Sequence, residues 1–284
     1  MSPLRLAFSP DSDDIFMFWP MLHGEVDTEG LSFDVTRADT ESLNLLAESG
    51  DVDIVAISMA QYARVAQDFL LLPHGASVGR GYGPVVVGPA PSGPESLQNA
   101  RVAIPGARTT AFLVLSLLAP PFVPVPIAIS PYEAVFDALR AGHVDLALLV
   151  HEGRLTYARE GFHLVLDLGA AWAESTSGLP LPLGGNAIRR ALGPEVIARA
   201  SRVCRASIAW ALANRERVMD ALLREEVRTG VGLGREMLDR YLAMYANEDT
   251  RALEADVRRA LAEMFARAHA RGLLPAVPPI DLAP

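Results

Sequence analysis

One pattern occurs twice along the chain, and this duplication restricts the possible folds more than any other feature of the sequence. Residues 5–16 recur in similar form as residues 101–112, and residues 41–58 recur as residues 133–150. The shorter segment is typical of a strand, a tight loop and a helix start; the longer one is typical of a helix, a glycine and a buried strand. Two similar α/β units in one chain predict two lobes, with a ligand cleft between them.

The pattern within the first copy predicts a parallel sheet. Residues 4–8 and 31–35 alternate as short strands, and residues 53–58 form a nearly uninterrupted apolar strand after a helix over residues 40–49. Continuous apolar strands are typical of parallel sheets covered on both faces. The predicted fold class is therefore α/β, with a βαβαβ unit in each lobe.

Two crossings are predicted to join the lobes. Residues 75–83 are rich in glycine, but they precede a strand instead of joining a strand to a helix, so they indicate a crossing and not a nucleotide loop. Residues 179–186, with two prolines and paired glycines, are predicted to return the chain. The first lobe is then predicted to comprise residues 1–86 and 184–284, and the second lobe residues 87–183.

The last third of the chain is predicted to be helical and to pack on the first lobe, although these helices would serve a homodimer equally well. The helices are predicted over residues 196–212, 215–228, 235–245 and 251–271. The tail over residues 275–284 is rich in proline and is predicted to form a surface strap.

Composition excludes several classes of function. The formal net charge of −9 argues against a nucleic-acid partner. All 25 basic residues are arginine, so a Schiff-base or phosphate-binding lysine is excluded. Cys204 is the only cysteine, so it cannot form an intrachain disulfide, and it is expected to be buried. The chain shows neither a signal-peptide pattern nor a membrane-spanning run, which predicts a cytoplasmic protein without a membrane partner.

Ligands of open α/β sheets bind at the carboxyl ends of the strands, and this rule locates the candidate site. Thr109 and Thr110 begin a helix whose amide groups favour an anion, so a small-molecule carboxylate is the predicted substrate. The alternative is that these threonines only cap the helix. The predicted substrate-binding residues are Ser9, Asp14, Ser58, Thr109, Thr110 and Ala111.

The first copy carries acidic residues where the second copy does not. Asp11, Asp13 and Asp14 suit the hydroxyls of a sugar-like group, and one of them, or Ser12, is expected to cap the following helix. Asp14 is the preferred substrate contact. Arg108 is either a partner of the bound anion or a solvated surface charge.

His151 is the candidate general base or acid, because it follows an apolar strand at the edge of the predicted cleft and imidazole titrates near neutral pH. The alternative is a structural histidine. The other histidines lack metal-ligand spacing, so no metal is predicted. No Asp or Glu is placed by the sequence to orient His151, which argues against a hydrolytic triad.

Three motifs, in residues 9–18, 105–113 and 151–157, together with shorter matches elsewhere, resemble the 1,4-dihydroxy-6-naphthoate synthase family of the futalosine route to menaquinone. The resemblance spans nearly the whole chain. It implies the fold of type II periplasmic binding proteins and a cofactor-free lyase acting on cyclic dehypoxanthinylfutalosine. In that family the histidine matching His151 is the proposed base.

Two alternatives remain. Chorismate dehydratase, an enzyme of the same pathway, resembles this family in fold. A solute-binding protein that feeds a transporter would share the two-lobed architecture without catalysis; such proteins are exported, and the start of this chain has no signal-peptide pattern.

Overall fold

The computed structural model describes residues 2–129, 132–225 and 234–284, which form two β-sheets with flanking helices. The strands are β1 (Leu4–Phe8), β2 (Phe33–Arg37), β3 (Ile54–Ser58), β4 (Phe69–Leu71), β5 (Ser77–Gly79), β6 (Val85–Gly88), β7 (Arg101–Ile104), β8 (Val123–Pro126), β9 (Leu146–Leu149), β10 (His163–Asp167) and β11 (Leu181–Arg189). The helices are α1 (Ser12–Leu22), α2 (Thr40–Ser49), α3 (Met59–Val65), α4 (Thr110–Leu118), α5 (Glu133–Arg140), α6 (Gly153–Thr156), α7 (Leu168–Ser175), α8 (Pro194–Ala213), α9 (Arg215–Glu225), α10 (Arg235–Tyr245), α11 (Glu248–Arg251) and α12 (Ala255–Ala270).

The two sheets share one topology, which confirms the α/β class. The first sheet has the order β2-β1-β3-β11-β4, with β5 also paired to β11, and the second has the order β10-β6-β9-β7-β8. In the first sheet β1 lies between β2 and β3 in parallel, and in the second β7 lies between β8 and β9 in parallel. Each sheet is therefore built around one copy of the repeated unit. We refer to each sheet with its packed helices as the first and second lobe.

The same ion pair stabilises both copies of the repeat. The backbone amide of Arg5 donates to Asp53 at 2.9 Å and its guanidinium reaches the other carboxylate oxygen at 2.8 Å. Arg101 and Asp145 make the matching contacts at 2.8 and 2.7 Å. Each pair joins the start of the first strand to the residue before the third strand. These matching contacts lie at the edge of each sheet opposite the carboxyl ends of its parallel strands.

The crossing strands run antiparallel to the repeated units. β6 joins the second sheet beside β9, and β11 joins the first sheet beside β3, both in antiparallel register. The predicted lobe limits, between residues 86 and 87 and between residues 183 and 184, fall inside these two strands. β11 places the segment Gly184–Asn186 next to residues 56–58 at the end of β3.

Two predicted elements differ from the structure. The second strand begins at Phe33 instead of Leu31, because its pairing with β1 starts at Phe33, and it is a mostly exposed edge strand. The last predicted helix is interrupted: α11 and α12 are separated at Ala252, whose backbone is extended, and the amide of Leu253 donates to the carbonyl of Pro73.

The other C-terminal elements pack on the first lobe. α8 and α10 pack against α1, and Cys204 on α8 is buried, as expected. The predicted helix over residues 215–228 is present as α9, and residues 226–228 of that prediction lie outside the described residues. The tail forms the predicted strap, because Leu71 of β4 exchanges backbone hydrogen bonds with Asp281 and Ala283. No helix in the described ranges combines the length and the apolar character needed to cross a membrane.

Candidate active site

Both lobes line one cavity at the carboxyl ends of β1, β3, β7 and β9. It contains about 800 Å³ of empty space, part of which is open to solvent. All the substrate-binding candidates named from the sequence line this cavity with His151, namely Ser9, Asp14, Ser58, Thr109, Thr110 and Ala111. The duplicated topology thus brings the two sets of strand ends to opposite walls of one cleft.

The threonine hydroxyls at the start of α4 are engaged within the protein. The Thr109 hydroxyl accepts from the amide of Phe112 at 3.2 Å, so it is a helix cap, and it donates to the Gly106 carbonyl at 2.9 Å. The Thr110 hydroxyl donates to the Leu183 carbonyl at 2.6 Å and accepts from the Ala60 amide at 3.1 Å. An anion at this end of α4 would therefore meet backbone amides, not these hydroxyls.

The amides of Thr110 and Ala111 are the groups that remain for such an anion. Across the described part of the chain, neither amide has a hydrogen-bond acceptor, and both residues line the cavity. They are the first two amides of α4, where the helix dipole adds a partial positive charge.

Arg108 does not line the cavity, and its charge is paired with the first lobe. Its guanidinium donates to both carboxylate oxygens of Glu48, at 2.7 and 2.9 Å, and its backbone amide donates to Glu41 at 3.0 Å. Both glutamates lie on α2. The arginine therefore joins the lobes at the rim of the cleft.

Removing the Thr110 hydroxyl should destabilise the contact between the lobes. In Thr110→Val the carbonyl of Leu183 and the amide of Ala60 lose a buried partner, so we expect the free energy of unfolding to fall by about 1–3 kcal/mol. Urea unfolding measures the change. Thr110→Ser keeps the hydroxyl and is the matched control; a loss in Thr110→Val no larger than that in Thr110→Ser would contradict the prediction.

Ser58 presents a hydroxyl to the cavity from the end of β3. The buried side chain of Asn44 accepts from the Ser58 amide at 3.0 Å and donates to the Ser58 hydroxyl oxygen at 3.1 Å. The hydroxyl hydrogen of Ser58 has no acceptor among the residues described. Asn44 therefore orients Ser58 as a hydrogen-bond donor for a ligand.

The acidic loop before α1 differs in detail from the prediction. Asp11 occupies the N-cap position, but its side chain makes no capping hydrogen bond, so the prediction of an aspartate or serine cap is wrong. The carboxyl group of Glu152 from the second lobe instead lies near Ser12, the first residue of α1. Asp14 accepts from the Ser9 amide at 2.8 Å. A carboxylate from the opposite lobe thus meets the positive end of this helix.

Burial shifts the titration of the acidic groups around the cavity. Burial, together with the nearby charge of Asp13, raises the pKa of Asp14 to about 7. Burial also raises the pKa of Glu152 to about 7, against the lowering effects of its own backbone amide and of Ser12. Both carboxyls therefore take up a proton near neutral pH, whereas ordinary carboxyls are ionised there.

The raised pKa of Glu152 predicts a pH-dependent stability. The folded protein holds this proton up to about pH 7, whereas the unfolded chain releases it near pH 4.3, so the free energy of unfolding falls as the pH rises between these values. The free energy of unfolding of Glu152→Gln, relative to that of wild type, should therefore rise by roughly 2 kcal/mol from pH 5 to pH 8. Chemical unfolding at both pH values measures the difference. Glu174→Gln changes an exposed carboxylate and is the control, so its stability should depend on pH as that of wild type does. The same pH dependence in Glu152→Gln would contradict the prediction.

His151 lies in a left-handed turn directly after β9, with a φ of 49°. Its Nε2 is 3.1 Å from the Thr40 hydroxyl, and its Nδ1 is 3.4 Å from both the Tyr241 hydroxyl and an Asp11 carboxylate oxygen. About a fifth of its side chain is exposed (21%). The Asp11 carboxylate thus approaches this histidine from the other lobe, a contact that spacing along the chain did not indicate.

Tyr132 stabilises the turn that carries His151 through hydrogen bonds to the backbone. The Tyr132 hydroxyl bonds to the carbonyl of Val150 and accepts from the amide of Val150 at 3.1 Å. Gly153 packs on the same ring, where a Cβ atom would lie only 2.5 Å from a ring carbon. Glycine is thus required at this position for the tyrosine to support the turn.

Several residues that line the cavity were not predicted from the sequence. Thr40 begins α2, Ser77 lies in β5, and Tyr241 and Tyr245 lie on α10, yet all of them line the cavity. Their approach depends on how α10 and β5 pack in the first lobe. Spacing along the chain does not indicate such contacts.

Comparison with known proteins agrees with this architecture. A family model described as menaquinone biosynthesis matches residues 4–270. The chain is 38% identical over 273 residues to the 1,4-dihydroxy-6-naphthoate synthase of Thermus thermophilus, covering 96% of both proteins. It is 37% identical over 287 residues to the enzyme of the same name from Streptomyces coelicolor, covering 99% of this chain and 98% of that protein.

A solved structure with low sequence identity shows the fold. The alkanesulfonate-binding protein from Xanthomonas axonopodis pv. citri superimposes with a TM-score of 0.70 at 16% identity, covering 100% of this chain and 96% of that one. The fold is accordingly that of the periplasmic binding proteins, as the resemblance implied. With a family model that matches almost the whole chain and relatives at 37–38% identity, the chain belongs to the menaquinone biosynthesis family that includes these two 1,4-dihydroxy-6-naphthoate synthases.

Proposed function

We propose that this protein is a lyase that converts cyclic dehypoxanthinylfutalosine into 1,4-dihydroxy-6-naphthoate, with His151 as the general base. The main support is that a histidine at the end of β9 and the amide-rich start of α4 line the same cavity. The names of the two relatives at 37–38% identity favour this reaction over others on the same fold.

The cavity offers distinct groups for the two ends of this substrate. Its carboxylate would accept hydrogen bonds from the amides of Thr110 and Ala111 and from the Ser58 hydroxyl, all of which line the cavity. The hydroxyls of its ribose-derived ring would lie near Asp14 and Ser9 on the opposite wall. A carboxyl with a pKa of about 7, as in Asp14, can donate or accept a hydrogen bond near neutral pH.

The chemistry requires one well-placed base. His151 would remove a proton from the substrate, and the electron pair left behind would drive cleavage of a carbon–carbon bond, with loss of a sugar-derived fragment and aromatisation to the naphthoate. Burial lowers the pKa of His151, so the imidazole is neutral and able to accept a proton near pH 7. The proposal involves no cofactor and places the reaction in the cytoplasm.

The decisive experiment offers the purified protein two candidate substrates. Incubation with cyclic dehypoxanthinylfutalosine should give 1,4-dihydroxy-6-naphthoate by mass spectrometry, whereas chorismate should remain unchanged. Dehydration of chorismate would instead identify the sister enzyme of the pathway. Binding of either compound by calorimetry without turnover would favour a solute-binding protein, for which the similarity to the alkanesulfonate-binding protein supports only the fold.

A further inference from the structure

The ring of His151 is held by the lobe to which it does not belong. His151 follows β9 of the second sheet. Within the described ranges, the hydrogen-bonding groups in reach of its ring come from the first lobe: the Thr40 hydroxyl, the Tyr241 hydroxyl and the Asp11 carboxylate. The geometry of the proposed base therefore depends on the approach of the two lobes.

The hydroxyl of Tyr241 uses its hydrogen in a hydrogen bond to Asp13. Tyr241 donates to one oxygen of Asp13 at 2.9 Å, and Ser77 donates to the other at 2.8 Å. Tyr241 and Asp13 are both buried. The Tyr241 oxygen consequently offers a lone pair, and not a hydrogen, to the His151 ring.

The Tyr241 hydroxyl oxygen and the Asp11 carboxylate thus both lie near the same ring nitrogen. Nδ1 of His151 lies 3.4 Å from the Tyr241 oxygen and 3.4 Å from an oxygen of the fully buried Asp11. The Tyr241 oxygen, which is in hydrogen-bond geometry with Nδ1, can only accept, and the nearby Asp11 carboxylate adds negative charge, so both favour a hydrogen on Nδ1 in the neutral ring. Nε2 then has the lone pair, and the Thr40 hydroxyl at 3.1 Å is able to donate to it.

We propose that Asp11 and Tyr241 are positioning residues that keep the proton of His151 on Nδ1 and leave Nε2 as the atom that takes the substrate proton. This inference rests on the proposed function, in which His151 is the base. The Asp11 carboxylate also stabilises the imidazolium that forms when Nε2 accepts a proton. Because both positioning residues belong to the first lobe, the proposed base is completed by groups from both lobes.

The charges near His151 define the expected pH response. Asp11, Asp13 and Asp14 face the ring from α1 and its preceding loop, Tyr241 faces it from α10, and Glu152 follows it in the chain. Burial lowers the pKa of His151, and the charges of Asp13 and Asp14 oppose that shift. Loss of the Asp11 charge should lower this pKa further, so the acid limb of the kcat/KM profile should move to lower pH.

The test combines kinetics with the tautomeric state of the ring. In protein labelled with ¹⁵N-histidine, long-range proton–nitrogen correlation should show His151 with its hydrogen on Nδ1, the signals being assigned by their loss in His151→Gln. In Asp11→Asn the new amide can donate to Nδ1, so the hydrogen should move to Nε2. We expect kcat to fall roughly 10–100-fold with little change in KM.

A matched control separates positioning from the loss of a buried carboxylate. Asp53→Asn removes a buried charge that pairs with Arg5 away from the cavity, and it should leave both kcat and the His151 tautomer unchanged. In a His151→Gln background, Asp11→Asn should cause no further loss of activity, since its effect acts through the histidine. Tyr241→Phe should also reduce kcat. This variant tests the inference by itself if Asp11→Asn fails to fold.

Definite results would overturn the inference. Wild-type protein with the hydrogen on Nε2 would contradict it, as would Asp11→Asn with an unchanged tautomer and a kcat within twofold of wild type. A further loss of activity in the double variant would show that Asp11 acts independently of His151. The tautomer is measured on the free protein, so absence of turnover by wild type would reject the proposed reaction while the spectra still decide whether Asp11 and Tyr241 orient the ring.

Discussion

Replacing His151 with alanine should lower kcat by at least about 10²-fold while the protein still folds and binds its substrate. The imidazole lies at a strand end between the lobes, and it is neutral near pH 7 because burial lowers its pKa. The amides of α4 that would bind the substrate carboxylate are on a different element and remain in place. Steady-state kinetics with cyclic dehypoxanthinylfutalosine, and calorimetric binding of the same compound, measure the two effects separately.

His143→Ala is the matched control, because His143 is an exposed histidine of the same lobe, outside the cavity. It should keep wild-type kinetics. Naphthoate production by His151→Ala at a near wild-type rate would rule out His151 as the base. Loss of binding together with loss of turnover would instead point to a role in holding the substrate.

Replacing Trp172 with alanine should lower the free energy of unfolding by about 3–5 kcal/mol, the largest stability effect that we expect from a single side chain here. Trp172 on α7 is fully buried, and its indole nitrogen donates to the carbonyl of Pro180 at 2.9 Å, just before β11. The guanidinium of Arg267 on α12 lies 5.3 Å from the ring centroid. The side chain therefore packs between the second lobe, the return crossing and a C-terminal helix.

Urea unfolding of three variants would separate the contributions. Trp172→Phe keeps most of the apolar packing and loses the hydrogen bond, so it should be less destabilised than Trp172→Ala. Trp210→Ala is the control, because Trp210 on α8 is partly exposed. Its replacement should lower the free energy of unfolding by less than that of Trp172. A loss for Trp172→Ala no larger than that for Trp210→Ala would show that the crossing is stabilised elsewhere.

Much of the fold could be predicted because its signals are local. The strand over residues 4–8, the helix over residues 40–49 and the glycine that ends it all lie where the pattern of apolar residues placed them. The repeated unit predicted one topology twice, and the matching pairs Arg5–Asp53 and Arg101–Asp145 show that the copies correspond in structure. The edge position of β2 and the break between α11 and α12 were missed, since both depend on contacts with distant segments.

The sequence predicted which strand ends form the candidate site. The rule that ligands bind at the carboxyl ends of parallel strands placed His151, Ser58 and the start of α4 together, and all line the cavity. The rule does not say which atoms are free. It could not show that the hydroxyls of Thr109 and Thr110 are engaged within the protein, because the Thr110 contact depends on β11 and α3.

By itself the sequence determined the two α/β units, the excluded chemistries and the residues at the strand ends, because each of these follows from spacing or composition within a short segment. Only the tertiary structure decided what surrounds the base. Asp11, Thr40 and Tyr241 reach His151 from three separate elements of the opposite lobe. Such contacts arise from the packing of one lobe on the other, and packing between distant segments leaves no periodic pattern in the chain.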